Sequence, residues 1–201
     1  MRLFYSETSP FARKVRALVI EAGIQGVELV EASGNALDPG TMPLAHNPLG
    51  KIPTLVTDAG MALHDSRVIC RYLDDLAGAG MYPDPPLLWP VLTLESMADG
   101  VTEAAVLMVY ERRIRPEALC YPPWVEGQWA KIARTLDAIE REWAGRLAGA
   151  PDMAQIALAC ALGYLDFRLS ARDWRAGRER LAAWEAGFAT RPAIASNRPP
   201  A

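Results

Sequence analysis

The spacing of apolar positions changes period along roughly the first eighty residues. Arg2–Ser6 is a short run that predicts a strand. Phe11, Val15, Leu18, Val19 and Ala22 then recur at three- and four-residue steps, the signature of a helix. Ser9-Pro10 opens that helix, since proline fits a first turn, and Gly23 stops it. Arg13, Lys14, Arg16 and Glu21 are expected on its polar face. Val27–Ala32 predicts a second strand. Gly34, Pro39, Gly40, Pro43, Pro48 and Gly50 then make residues 33–50 mostly loop. Thr54–Thr57 and Met61–His64 flank Asp58-Ala59-Gly60 and predict a hairpin. Ser66 is expected to cap a helix that carries Val68, Ile69, Tyr72, Leu73 and Leu76 on one face. The predicted order is β-α-β, a loop, then β-β-α.

Gly78, Gly80, Pro83, Pro85, Pro86 and Pro90 break this pattern and predict a linker over 78–90. It separates an α/β domain, 1–77, from an all-helical domain, 91–201. In the second, Trp129, Ile132, Leu136, Ile139 and Trp143 predict an amphipathic helix over 124–147. Ile156, Ala159, Cys160, Gly163, Tyr164 and Phe167 predict another, apolar nearly all round and therefore central. Asp152-Met153-Ala154-Gln155 reads as its capping box, with Gln155 reaching back to the cap. Ser196–Ala201 reads as a frayed tail.

Composition mainly excludes. A chain that is 51% hydrophobic and 22% charged is neither disordered nor collagen-like. A net charge of -3 argues against nucleic-acid partners. No apolar run approaches the roughly 18 residues of a membrane span, and the N-terminus lacks the apolar core of a signal peptide. Cys70, Cys120 and Cys160 form no Cys-x-x-Cys pair and no Cys/His cluster, which argues against zinc and dithiol chemistry. The expected compartment is the cytoplasm.

Four features carry candidate chemistry. Thr8-Ser9-Pro10 stands between a strand and a helix N-terminus, where N–H groups and the helix dipole favour an anion. Ser9 there is either a plain cap or a hydroxyl donor to a thiolate. In Asn47-Pro48-Leu49-Gly50-Lys51-Ile52-Pro53, a proline opening a strand is a candidate for a cis bond, though trans is the commoner state. A cis bond would free the Ile52 main chain to pair with an extended peptide. Asp65-Ser66, at another helix start, matches the paired charges of an α-amino-acid head group, or is simply an acidic residue and a cap. Asp99-Gly100-Val101-Thr102-Glu103 places a glycine inside a helix, which points to a close approach or a kink. His46 and His64 have no triad partners at recognisable spacing and read as structural residues.

In this order, Ser9-Pro10-Phe11-Ala12-Arg13-Lys14, Asn47 to Pro53 and Asp65-Ser66-Arg67-Val68-Ile69 resemble the glutathione S-transferase family. The resemblance spans the chain, most closely the serine-type, bacterial-like cytosolic members. It implies a thioredoxin-like α/β domain followed by an all-α domain, and a cytoplasmic homodimer active in detoxification. It implies glutathione as co-substrate, held by Phe11, Lys51, Ile52, Pro53, Asp65 and Ser66, with Glu103 reaching the γ-glutamyl group on a neighbouring subunit. Ser9 takes the position of the catalytic hydroxyl that keeps the thiol ionised. Tyr5 and Ser6 remain rival hydroxyls. Serine in place of the cysteine of redox-active branches argues against thiol transfer. The implied partner is a hydrophobic electrophile seated between the domains, against Phe11, Tyr110 and Tyr164. A non-enzymatic binding or scaffold protein on the same fold is the alternative, as is a glutathione-dependent isomerase, dehalogenase or peroxidase.

Overall fold

The computed structural model describes residues 1–200. They divide into two units, Met1–Asp84 together with Arg191–Pro200, and Pro85–Thr190. The boundary falls inside the proline-rich stretch. The family fold expected from the sequence is present: a small mixed sheet with helices, followed by a helical unit.

The first unit is built on four strands, β1 (Arg2–Tyr5), β2 (Glu28–Glu31), β3 (Thr54–Val56) and β4 (Ala62–Leu63), in the order β2-β1-β3-β4. β1 runs parallel to β2 and antiparallel to β3, and β3 pairs antiparallel with β4. Helices α1 (Pro10–Glu21) and α2 (Ser66–Ala77) pack together against the sheet. Leu3, Val15, Leu18, Leu55, Ile69 and Leu73 are fully buried between them. Each such side chain contributes about 1.5–3 kcal/mol by leaving water.

Four expectations for this unit need correction. Arg13 and Lys14 are buried, not on a solvated face. The last segment of the chain covers Arg13. Its Nε donates to Asn197 Oδ1 at 3.1 Å and its Nη2 to the Ile194 carbonyl at 3.2 Å. The expected frayed tail is therefore ordered at Asn197, which is itself buried, and helix α7 (Pro192–Ala195) packs on α1. The cap of α2 is Asp65, whose carboxylate accepts from the Arg67 N–H at 2.8 Å, and Ser66 is the first helical residue. Finally, the apolar face of α2 is wider than the surface it buries. Ile69 and Leu73 are covered, while Val68 and Leu76 are exposed.

The second unit stacks α3 (Leu88–Arg113) against α4 (Pro122–Ala138) and α5 (Met153–Arg168), with α6 (Glu179–Phe188) beside α5. Every residue from Met153 to Leu162 is buried, as the all-round apolar pattern of α5 predicts. The helix expected over 124–147 continues past α4 as a π-helical turn, Ile139–Trp143. Its extra residue per turn changes the phase of the apolar stripe. Ile132, Leu136 and Ile139 are buried, and Trp143 beyond the turn is only half-buried. Gly100 has no close approach among the described residues, since a Cβ added there meets nothing within 4 Å.

The capping box is half formed. Asp152 accepts from the Gln155 N–H at 3.1 Å and pairs with Arg146 at 2.6 Å. The Gln155 amide does not return to the cap but donates to the Leu147 carbonyl at 3.2 Å, tying down the preceding turn. Asp152→Ala removes the cap and strands the Arg146 guanidinium, whose Nε already lacks a partner. The expected loss is about 1–2 kcal/mol, read from urea unfolding. A loss below about 0.5 kcal/mol, the scale of an unspecialised surface change, would remove the cap from the account.

Candidate functional site

Strand register gathers the three motifs. β1 ends at Tyr5 and leads through a short turn to Ser9. Thr54 pairs with Phe4, so the start of β3, and Ile52-Pro53 before it, lies beside the end of β1. Leu55 pairs with Leu63, so β4 runs back to the same end and delivers Asp65 and Ser66 there. Ser9, Ile52 and Asp65-Ser66 thus converge at one end of the sheet, where α1 and α2 both begin. Two helix N-termini give this end a partial positive charge.

Ser9 caps α1. Its Oγ accepts from the Ala12 N–H at 3.2 Å. Acceptance uses a lone pair and leaves the hydroxyl proton free to donate. Ser6 Oγ bonds Thr8 Oγ1 at 3.1 Å, and Tyr5 lies under the Arg16 guanidinium, 4.8 Å from its ring centroid. Phe11 follows on α1 and is half-buried.

The 47–54 segment is locked by one side chain absent from the sequence-derived site. Asn47 is 1% exposed. Its Nδ2 donates to the Lys51 carbonyl at 2.9 Å and to Thr54 Oγ1 at 3.1 Å, and its Oδ1 accepts from the Leu49 N–H at 3.0 Å. Thr54 Oγ1 in turn donates to the same Lys51 carbonyl at 2.9 Å. Gly50, at φ +61°, lets the chain turn between these anchors. The Ile52–Pro53 bond is cis. Neither the N–H nor the C=O of Ile52 makes a hydrogen bond among the described residues. The Lys51 side chain is exposed and Pro53 is buried.

At the start of α2, Asp65 is held by Arg67, whose guanidinium lies 3.3 Å from the carboxylate. Burial pushes the Asp65 carboxyl up. The Arg67 side-chain and backbone hydrogen bonds outweigh it and hold the carboxyl below its usual value, with Lys14 adding its charge. Ser66 is buried, and its hydroxyl makes no hydrogen bond among the described residues. Glu103 belongs to the helical unit. It lies exposed on α3, with no partner among the described residues.

The His46 ring lies tilted beside Phe4, with ring centroids 5.6 Å apart. Among the described residues no cluster of His, Cys, Asp or Glu is arranged to hold a metal ion, and no helix is long and apolar enough to cross a membrane.

Residues 8–76 match the family model of the glutathione S-transferase N-terminal domain, and residues 122–187 that of its C-terminal domain. A GST-like protein of Escherichia coli, YibF, itself uncharacterised, is 37% identical over 100% of this chain and 99% of its own. A glutathione transferase family member from Pseudomonas fluorescens, solved with bound glutathione, superposes with a TM-score of 0.97 at 41% identity, covering 100% of this chain and 99% of that one. The same description, with bound S-(propanoic acid)-glutathione, fits a second structure at a TM-score of 0.92 and 41% identity, covering 100% of each chain. A glutathione S-transferase from Methylobacillus flagellatus with glutathione bound is 35% identical, with a TM-score of 0.88 over 99% of both chains.

Proposed function

The chain belongs to the glutathione S-transferase family, and on that premise we propose that it binds glutathione at the end of its sheet and transfers it to an electrophilic carbon. The observation that carries this reading is the register of β1, β3 and β4, which brings Ser9, Ile52 and Asp65-Ser66 to one place. The unpaired main chain of Ile52 suits the cysteinyl backbone of an extended tripeptide. The Ser66 hydroxyl and the first N–H groups of α2 suit the γ-glutamyl carboxylate, and Asp65 its ammonium. Lys51 and Phe11 flank these groups in sequence. Ser9, free to donate, stabilises the thiolate, which makes the protein a serine-type member. The bound glutathione of the Pseudomonas and Methylobacillus relatives supports the choice of ligand. The S-(propanoic acid)-glutathione of the second Pseudomonas complex is a thioether, the bond type that such a transfer forms.

A homodimer belongs to the same proposal. Val68 and Leu76 on α2 and Trp89 and Leu107 on α3 are exposed apolar positions suited to burial against a second copy. Glu103 then acts on the neighbour's glutathione.

Calorimetry with glutathione, followed by conjugation of an aryl halide, tests the proposal. Saturable heat, a raised melting temperature and chloride release are expected, from a particle of twice 22.0 kDa by light scattering. Binding without conjugation of any electrophile would favour a scaffold on the same fold. No heat at millimolar glutathione would overturn the reading, and a particle of 22.0 kDa would overturn the dimer.

A further inference from the structure

Helix α1 is held at both ends by the last segment of the chain, and both holds lie within the first unit. At its C-terminal end the Arg191 guanidinium spans both oxygens of the Glu21 carboxylate. At its first turn the hold is of another kind. Arg13 is only 4% exposed, yet its guanidinium meets no carboxylate among the described residues. Its partners are two neutral oxygens, Asn197 Oδ1 and the Ile194 carbonyl, and both come from the chain end. Asn197 is itself 2% exposed, and its Nδ2 donates to the Ala193 carbonyl at 2.8 Å, which fixes the amide with its oxygen towards Arg13. A buried charge stripped of a partner is costly, so these two bonds decide where the Arg13 side chain sits.

Arg13 is also one turn beyond Ser9. Its N–H donates to the Ser9 carbonyl at 2.9 Å, and the N–H of Ala12 beside it donates to Ser9 Oγ at 3.2 Å. Ser9 itself stands outside the helix in extended backbone, with φ -81° and ψ 117°. Its orientation is set by these two bonds and by its own N–H on the Ser6 carbonyl at 3.1 Å. The turn that orients Ser9 is therefore the turn that the chain end holds. We propose that Asn197 is a positioning residue for the Ser9 hydroxyl and acts through Arg13. This rests on the glutathione-transfer reading, in which that hydroxyl donates to the thiolate. A hydrogen bond weakens steeply as it is misaligned, and one to an ion is the stronger kind, so a first turn that shifts leaves the thiolate less stabilised. A contribution of the chain end to stability alone is the competing account.

The full chain is compared with Asn197→Ala, Ser9→Ala and the double variant. Asn197→Ala is expected to move the rate profile of aryl-halide conjugation to higher pH, with about three- to tenfold less activity at neutral pH, part of what one charge-assisted hydrogen bond supplies. The alkaline plateau and the KM for glutathione stay close to the parent values. In the Ser9→Ala background the same change is expected to move the profile no further, because the hydroxyl it positions is gone. Arg13→Lys keeps the charge but not both bonds, gives part of the shift, and replaces Asn197→Ala in the comparison should that variant not fold. Glu21→Gln weakens the other hold, at the end of α1 away from Ser9, and is expected to lower the melting temperature without moving the profile. The other charged groups of this region are the same in Asn197→Ala as in the parent: Lys14 and Arg16 on α1, Glu7 before it, Asp65 and Arg67 at the start of α2, and Arg191 and Arg198 of the chain end. A shifted profile therefore reports the hydroxyl. A variant that loses only melting temperature, or that shifts the profile equally with and without Ser9, would overturn the proposal. Hydrogen exchange at the Ala12 and Arg13 amides, read without glutathione, is expected to quicken in Asn197→Ala, and unchanged exchange would overturn the hold itself. Quickened exchange in a protein that conjugates no halide keeps the hold of the chain end on α1 and removes the transferase reading, and with it the role of the hydroxyl.

Discussion

Ser9→Ala is expected to cut aryl-halide conjugation at neutral pH by about 10- to 100-fold. A hydrogen bond to a charged group is worth about 1.5–3 kcal/mol. Each 1.36 kcal/mol corresponds to about one unit of pKa, so the bound thiol rises by about one to two units. The reacting thiolate becomes scarcer by a similar factor, while its higher basicity returns part of the loss as nucleophilicity. Rate against pH separates this from a folding defect. The profile of the variant shifts to higher pH, and activity recovers in alkali. Because Ser9 also caps α1, alanine costs about 1 kcal/mol of stability. Ser9→Gly is the cleaner control, since glycine replaces a capping serine at a cost of a few tenths of a kcal/mol while deleting the hydroxyl. Both variants should lose thiolate absorbance of bound glutathione alike. If that absorbance stays at the parent level, Ser9 does not touch the thiol, and Tyr5 becomes the hydroxyl to test.

Periodicity made most of the α/β unit legible, because its strands and helices bury one side each and their apolar positions mark that side. It could not reveal what later lies over the other side. Arg13 and Lys14 sit on the polar face of α1 by spacing, yet the chain end at Ile194–Asn197 returns to cover Arg13. That contact spans more than 180 residues and leaves no local trace. The start of α2 was ambiguous by one residue, since Asp and Ser are equally good caps, and only the Arg67 N–H decides for Asp65. The π-helical turn was hidden because steps of three and four residues continue through it. Gly100 suggested a close approach that no described residue makes. The candidate site itself was legible as motif order, but its assembly depends on register, which no single motif contains.

Asn47 shows what the motif did not disclose, and Asn47→Asp is expected to be the most damaging isosteric change in the first unit. The amide supplies two donors to the Lys51 carbonyl and Thr54 Oγ1, and a carboxylate of the same shape supplies none. Thr54 already spends its proton on Lys51, so it cannot turn to satisfy the new oxygen without giving up that bond. The substitution therefore sets a buried negative charge against two acceptors. Leaving a buried donor or acceptor unmet costs about 1–3 kcal/mol, and more for a charged group, so a loss of about 3 kcal/mol is expected in urea unfolding. Asn47→Ala deletes the bonds without adding the charge and should cost less, about 2 kcal/mol. Both loosen the segment that presents the Ile52 main chain. Under conditions where each variant remains folded by circular dichroism, its KM for glutathione should rise about tenfold or more, the equivalent of about 1.4 kcal/mol of binding. The KM for the electrophile should stay close to the parent value. If Asn47→Asp folds with parental stability, the amide is not the lock of this loop. If it unfolds more easily yet binds glutathione as the parent does, the Ile52 main chain is not where the tripeptide pairs.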